Sequence, residues 1–173
     1  MKNIDVRFSI LLVSFFGLLL SSCGPTASSK TLDLDLRLTG EMLFEGANSL
    51  QYADENQLKD LVRTLDTEVS AIQEITVTKV VIRLDDSTEQ IAESLLLQVV
   101  SDNNEMMTVG TLNPIPDEEE LILSLAESPS ILSYLKDSGT TWVLDLNIAE
   151  DYMDEMVVEG KLTVNVKYIP NKN

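Results

Sequence analysis

Cys23 is the residue of this chain whose chemistry is most sharply defined. It is the only cysteine among 173 residues, and there is no histidine. A lone thiol in an exported chain cannot close an internal disulfide, and left free it is open to oxidation. Leu20-Ser21-Ser22 precede it and Gly24-Pro25 follow it, so it stands in a break of small residues after an apolar run. The second group is acidic: Glu150, Asp151, Asp154 and Glu155 put four carboxylates into six residues. Calcium takes about six to eight oxygen ligands, and such a loop offers several. The spacing lacks the Asp-x-Asp-x-Asp-Gly loop and has no glycine for its sharp turn, so plain solvation of an acidic loop is the competing reading. The run at 117–120, Asp followed by three Glu, is a lesser candidate of the same kind.

Other chemistries are narrowed by what is missing. Without histidine the commonest general base and the commonest neutral metal ligand are gone. With one cysteine there is no Cys/His zinc set. Gly-x-Ser-x-Gly and Gly-x-x-x-x-Gly-Lys-Ser/Thr do not occur. Glycoside hydrolysis needs two carboxylates held across a cleft, and carboxylates are too abundant here to single out a pair. The expectation is a protein without catalysis of its own.

The N-terminus explains the cysteine. Lys2 and Arg7 against Asp5 make it mildly positive, and residues 8–20 follow without a charge. A membrane-spanning helix needs about 20 apolar residues, whereas a signal-peptide core needs roughly 7–15. The run has signal length and ends in small residues. Here the chain resembles bacterial lipoprotein signal peptides, whose lipobox is an aliphatic residue, two small residues and a cysteine. Leu20, Ser21, Ser22 and Cys23 match it position by position. The resemblance implies cleavage before Cys23, acylation of its thiol and attachment to a membrane in the cell envelope. Gly24 stands where aspartate would imply inner-membrane retention, so the outer membrane is favoured. Residues 1–22 are then the signal peptide, 23–30 a lipidated cysteine with a flexible tether spanning roughly 15 Å, and 31–170 one domain.

The charge balance bears on partners. The chain has 12 Lys+Arg against 29 Asp+Glu, and removing Lys2, Arg7 and Asp5 leaves the remainder one unit more negative. Such a field repels phosphate, which excludes nucleic acid, and repels anionic headgroups, which holds the domain off its own membrane. A protein partner in the envelope or a divalent cation is compatible.

The elements that must position these groups are mostly strands. In 31–45, Leu32, Leu34, Leu36, Leu38, Met42 and Phe44 share the face expected to be buried, with Asp33, Asp35 and Arg37 opposite. The stretch Asp54-Glu-Asn-Gln57 reads as a capping box for a helix over 55–65. A strand at 74–84 changes apolar phase near Thr78-Lys79, which predicts a bulge, and 85–88 reads as a turn. Strand 91–100, apolar on both faces, looks central, and a turn at 102–104 leads into 106–112, where Met106 and Met107 read as gap-fillers. After Pro114 and Pro116, Leu121, Leu123 and Leu125 alternate as a short strand. Ser128-Pro129 reads as N-cap and first turn of a second short helix, with Gly139 as its C-cap. Strands at 142–148 and 161–168 close the chain.

The expected fold is mostly β: an antiparallel, immunoglobulin-like β-sandwich with two short helices in crossovers, a lipocalin-like barrel being the runner-up. The expected role is an interaction or structural lipoprotein of the envelope. Two alternatives stand beside it. One is a binding module for an apolar small molecule or lipid between the sheets, suggested by Leu95-Leu96-Leu97 and Val99-Val100. The other is a calcium-stabilised adhesion domain.

Overall fold

A computed structural model describes residues 26–171 except Glu119 and Ser128. Among the described residues nine strands form: β1 (Ser28–Leu43), β2 (Gly46–Ala53), β3 (Ile72–Arg83), β4 (Ala92–Ser101), β5 (Asn104–Leu112), β6 (Leu121–Ile122), β7 (Ser124–Leu125), β8 (Thr141–Ile148) and β9 (Tyr152–Tyr168). All pairings are antiparallel, in the order β6-β3-β9-β1-β2-β8-β4-β5-β7.

The pairing is uneven, and that makes a sandwich. β1 pairs with β9 along its whole length, from Ser28 opposite Tyr168 to Leu43 opposite Tyr152. With β2 it shares the single register pair Thr39–Gln51. The ribbon therefore folds at that seam into two layers, β6-β3-β9-β1 and β2-β8-β4-β5-β7. The opposite seam is closed by the alternating leucines. Leu121 and Ile122 pair with β3, Ser124 and Leu125 pair with β5, and the Leu123 N–H between them bonds to the Val80 carbonyl. One short segment thus straddles both sheets. Gly110 lets it approach β5: a Cβ there would stand 3.1 Å from Leu123 Cβ.

The antiparallel sandwich expected from periodicity is what forms. Its strand order, however, is that of a jelly roll, two Greek keys wound as one, once β6 and β7 are counted as a single split strand. An immunoglobulin domain lays its first two strands side by side in one sheet; here β1 and β2 belong to opposite layers. Alternation within strands specifies which face is buried, and the long pairing of β1 with β9 specifies the order.

The space between the layers is filled. Leu38, Leu50, Ile75, Leu97, Trp142 and Leu146 are all less than 2% exposed. The predicted bulge is present as a register shift between Val77 and Lys79. β4 lies between β8 and β5, as its apolar character predicted.

Local readings fail where tertiary contacts compete. Helix α1 (Gln57–Leu65) forms, but without the capping box. Its N-cap is Asn56, whose N–H bonds to Asp54 Oδ1 at 2.8 Å. Gln57 is drawn into the core, where Oε1 accepts the Trp142 indole N–H at 2.9 Å. The predicted turn at 85–88 is a third helix, α2 (Asp86–Glu89), capped by Asp85, whose Oδ1 accepts the Thr88 N–H at 2.8 Å. That bond is the main reason the Asp85 carboxyl titrates below the usual range. Helix α3 (Leu132–Lys136) starts from Ile131, not Ser128-Pro129. Pro129 O and the Ile131 N–H bond instead to the edge of β3, at Val77 and Ile75; Ser128 lies outside the described residues. Its C-cap is Asp137 rather than Gly139. Of the two adjacent methionines, Met107 packs against the core while Met106 is 51% exposed.

Asp137 ties the α3 end to the β4–β5 turn. It accepts the Asn103 N–H and side-chain amide, both at 2.7 Å, the Ser101 hydroxyl at 2.9 Å and the Ser138 N–H at 3.0 Å. Donors stabilise the carboxylate, the Asn103 amide most, and lower its pKa from 3.8 to about 2. A carboxyl depressed in the folded state adds stability above its unfolded pKa and loses it as pH falls through the folded one. We therefore expect Asp137→Ala to lower Tm at neutral pH and the difference from wild type to shrink between about pH 4 and 2. Melts at stepped pH check this; a constant difference would rule it out.

Candidate functional site

Two surfaces stand out, one on a sheet face and one at an end of the sandwich. On the outer face of β1, β9 and β3 the charged residues that alternate with the core leucines meet in register. Arg37 and Arg83 both lie opposite Glu159, and Asp35 lies opposite Lys161. Glu120 adds an ion pair with Arg83, which holds its carboxyl below the usual range. These residues, with Lys79 and Tyr52, line a groove of about 650 Å³. Tyr52 is pushed up from its ordinary pKa, first by burial and then by the nearby Asp54 carboxylate, to which its hydroxyl donates at 3.2 Å. Opposite charges directly across a ladder are favourable pairs, so this groove is largely self-neutralised.

The other surface is built from four loops. β1 and β9 place the chain's first and last described strand residues, Ser28 and Tyr168, together at one end. A strand of 16 residues carries β1 roughly 50 Å to the other. At that far end lie the connections β1–β2, β3–β4, β5–β6 and β8–β9, since Leu43 pairs with Tyr152, Gly46 and Ala92 with Ile148, and Arg83 with Glu159. Leaving Asp86 and Glu119 aside, segments 41–48, 84–93, 113–122 and 149–157 contain twelve Asp and Glu residues and no Lys or Arg. The acidic excess is gathered at this end.

The same end carries exposed apolar side chains. Met42 is 63% exposed, Phe44 59% and Met153 57%. Periodicity had placed Met42 and Phe44 in the buried phase of β1. The register of β1 against β9 slips between Glu41 and Leu43, and Met42 adopts φ 50°. This bulge turns Leu43 inward and leaves Met42 and Phe44 outside. Asn48 closes the turn, accepting the Phe44 N–H at 3.0 Å and donating to its carbonyl at 2.7 Å.

The sequence-predicted carboxylates fall here. Glu150 and Asp151 lie before β9, and Asp154 and Glu155 lie within its exposed start. Asp151 Oδ1 accepts the Glu45 N–H at 2.8 Å and so clamps the β8–β9 turn to the β1–β2 turn. Glu155 lies directly opposite Glu41. Among the described residues no three Asp, Glu, Cys or His side chains are grouped to share a metal ion. Leu20, Ser21, Ser22 and Cys23 lie outside the described residues. Sequence reasoning missed Met42 and Phe44. The signal that marks them is the loss of alternation after Thr39, where Gly40 and Glu41 interrupt the leucines.

No protein-family model matches the chain, and no curated protein matches it. Among solved structures it is similar to the empty head of turnip yellow mosaic virus, at 13% identity and TM-score 0.38 over 88% of this chain and 87% of that one. It is also similar to Desmodium yellow mottle tymovirus, at 6% identity and TM-score 0.35 over 84% and 85%. At such identities and scores the likeness assigns neither family nor function. Among the described residues no helix is long and apolar enough to cross a membrane.

Proposed function

We propose that this protein is a lipid-anchored sandwich domain of the cell envelope that acts by binding another protein and has no catalysis of its own. The observation that carries the reading is the run Leu20-Ser21-Ser22-Cys23 behind an uncharged stretch of signal length. β1 begins at Ser28, only five residues after Cys23, so an acyl chain on that thiol would hold the end bearing Ser28 and Tyr168 against the bilayer. The opposite end would face away, towards the periplasm or the exterior, and an outer-membrane location suits Gly24. The filled interior favours a surface role over carriage of an apolar ligand between the sheets.

Intact mass of the protein isolated from cell membranes tests the anchor. The expected chain starts at Cys23 and is heavier by a diacylglycerol, with or without a further acyl group. Cys23→Ser should carry no acyl group. An unmodified wild-type Cys23 would overturn the anchor.

A further inference from the structure

We propose that the end formed by the β1–β2 and β8–β9 turns is a docking surface for a protein whose contact face is basic around an apolar centre. This deepens the interaction reading above and rests on it. Met42, Phe44 and Met153, each more than half exposed, come from two adjacent strand ends, where they flank the register partners Leu43 and Tyr152. Contiguous exposed apolar groups with a polar rim mark interaction surfaces. The rim decides the partner: Glu41, Glu45, Asp151, Asp154 and Glu155 flank these side chains, with no Lys or Arg in segments 41–48 and 149–157.

Its charges are also arranged against the fold's own interest. On the same pair of strands, β1 and β9, Asp35 faces Lys161 and Arg37 faces Glu159, while at the tip Glu41 faces Glu155. Like charges directly opposite destabilise a ladder. A basic partner face would supply the counter-charge that the fold leaves out here, and such complementarity speeds and orients association. A membrane is the poorer occupant. Anionic headgroups are repelled by this rim, and the patch lies roughly 50 Å along β1 from Ser28.

The test is photocrosslinking of the full chain in the cells that make it, with a photoreactive phenylalanine analogue at position 44 or 153 and, as control, at 106. Met106 is 51% exposed but lies by the β4–β5 turn at the other end. We expect a protein adduct from 44 and 153 and not from 106. Glu41→Lys with Glu155→Lys should cut its yield at least tenfold. The same double substitution should leave Tm unchanged; either single one, which creates an opposite pair, should raise it by about 1–4 °C. The purified adduct partner should bind the full chain at least tenfold more weakly in 300 mM than in 50 mM salt. Lipid adducts, equal yield at 106, yield indifferent to charge reversal, or no adduct would each overturn the proposal. The two readings fail separately: an adduct from an unacylated protein sinks the anchor alone, and an acylated protein without an adduct sinks the docking surface alone.

Discussion

Trp142→Ala is expected to cost the domain about 3–5 kcal/mol, a large part of the roughly 5–15 kcal/mol that holds a domain of this size folded. Trp142 is fully buried near the start of β8, in the core between the layers. Removing it takes a large apolar area out of the core and leaves a cavity that flanking strands cannot collapse to fill. It also strands a polar group. The indole N–H donates to Gln57 Oε1, the connection that draws the first residue of α1 inward. Gln57→Ala alone, which leaves the N–H buried and unpaired, is expected to cost about 1–3 kcal/mol. The two losses belong to one interaction, so in a Trp142→Phe background Gln57→Leu should be close to neutral. Urea unfolding of the four variants measures this, and a Trp142→Ala loss under about 1 kcal/mol would show the core to be loosely packed.

The second large effect separates neighbours in the closing segment. Leu123→Asp should prevent folding, whereas Ile122→Asp should shift Tm by no more than a few degrees. Leu123 is 3% exposed and sits where the segment passes from β3 to β5, its N–H bonded to the Val80 carbonyl. A carboxylate there has no partner and no water, a penalty beyond what a domain of marginal stability withstands. Ile122 is 51% exposed on the outside of the same crossing. Circular dichroism and yield of folded protein distinguish the two. Equal tolerance at both positions would mean that this segment does not close the sandwich.

These cases show how much was legible in the chain. Alternation in β8, in β9 and in β1 as far as Leu38 named the buried face correctly, because a strand between core and water must present its apolar residues at every second position. The bulge at Val77–Lys79 was legible for the same reason, as a change of phase. The capping box was legible and did not form. Locally Gln57 suits a reciprocal cap, but a buried indole N–H needs an acceptor more than a solvated helix end does. Ser128-Pro129 failed similarly: the chain at Pro129 and Ile131 bonds to the open edge of β3 before α3 can begin.

The acidic excess, the β class, most strand positions and the expectation of export and acylation are readable from the residues alone, since each depends on composition or on residues near in the chain. The strand order, the splitting of 121–125 between two sheets and the exposure of Met42 and Phe44 emerge from the folded chain instead. Those depend on pairing between separate segments of the chain, from Gly110 against Leu125 and Val81 against Ile122 to Glu41 against Glu155. The gathering of scattered carboxylates at the end away from Ser28 has the same origin: four loops distant in sequence share a place because the strands between them run antiparallel.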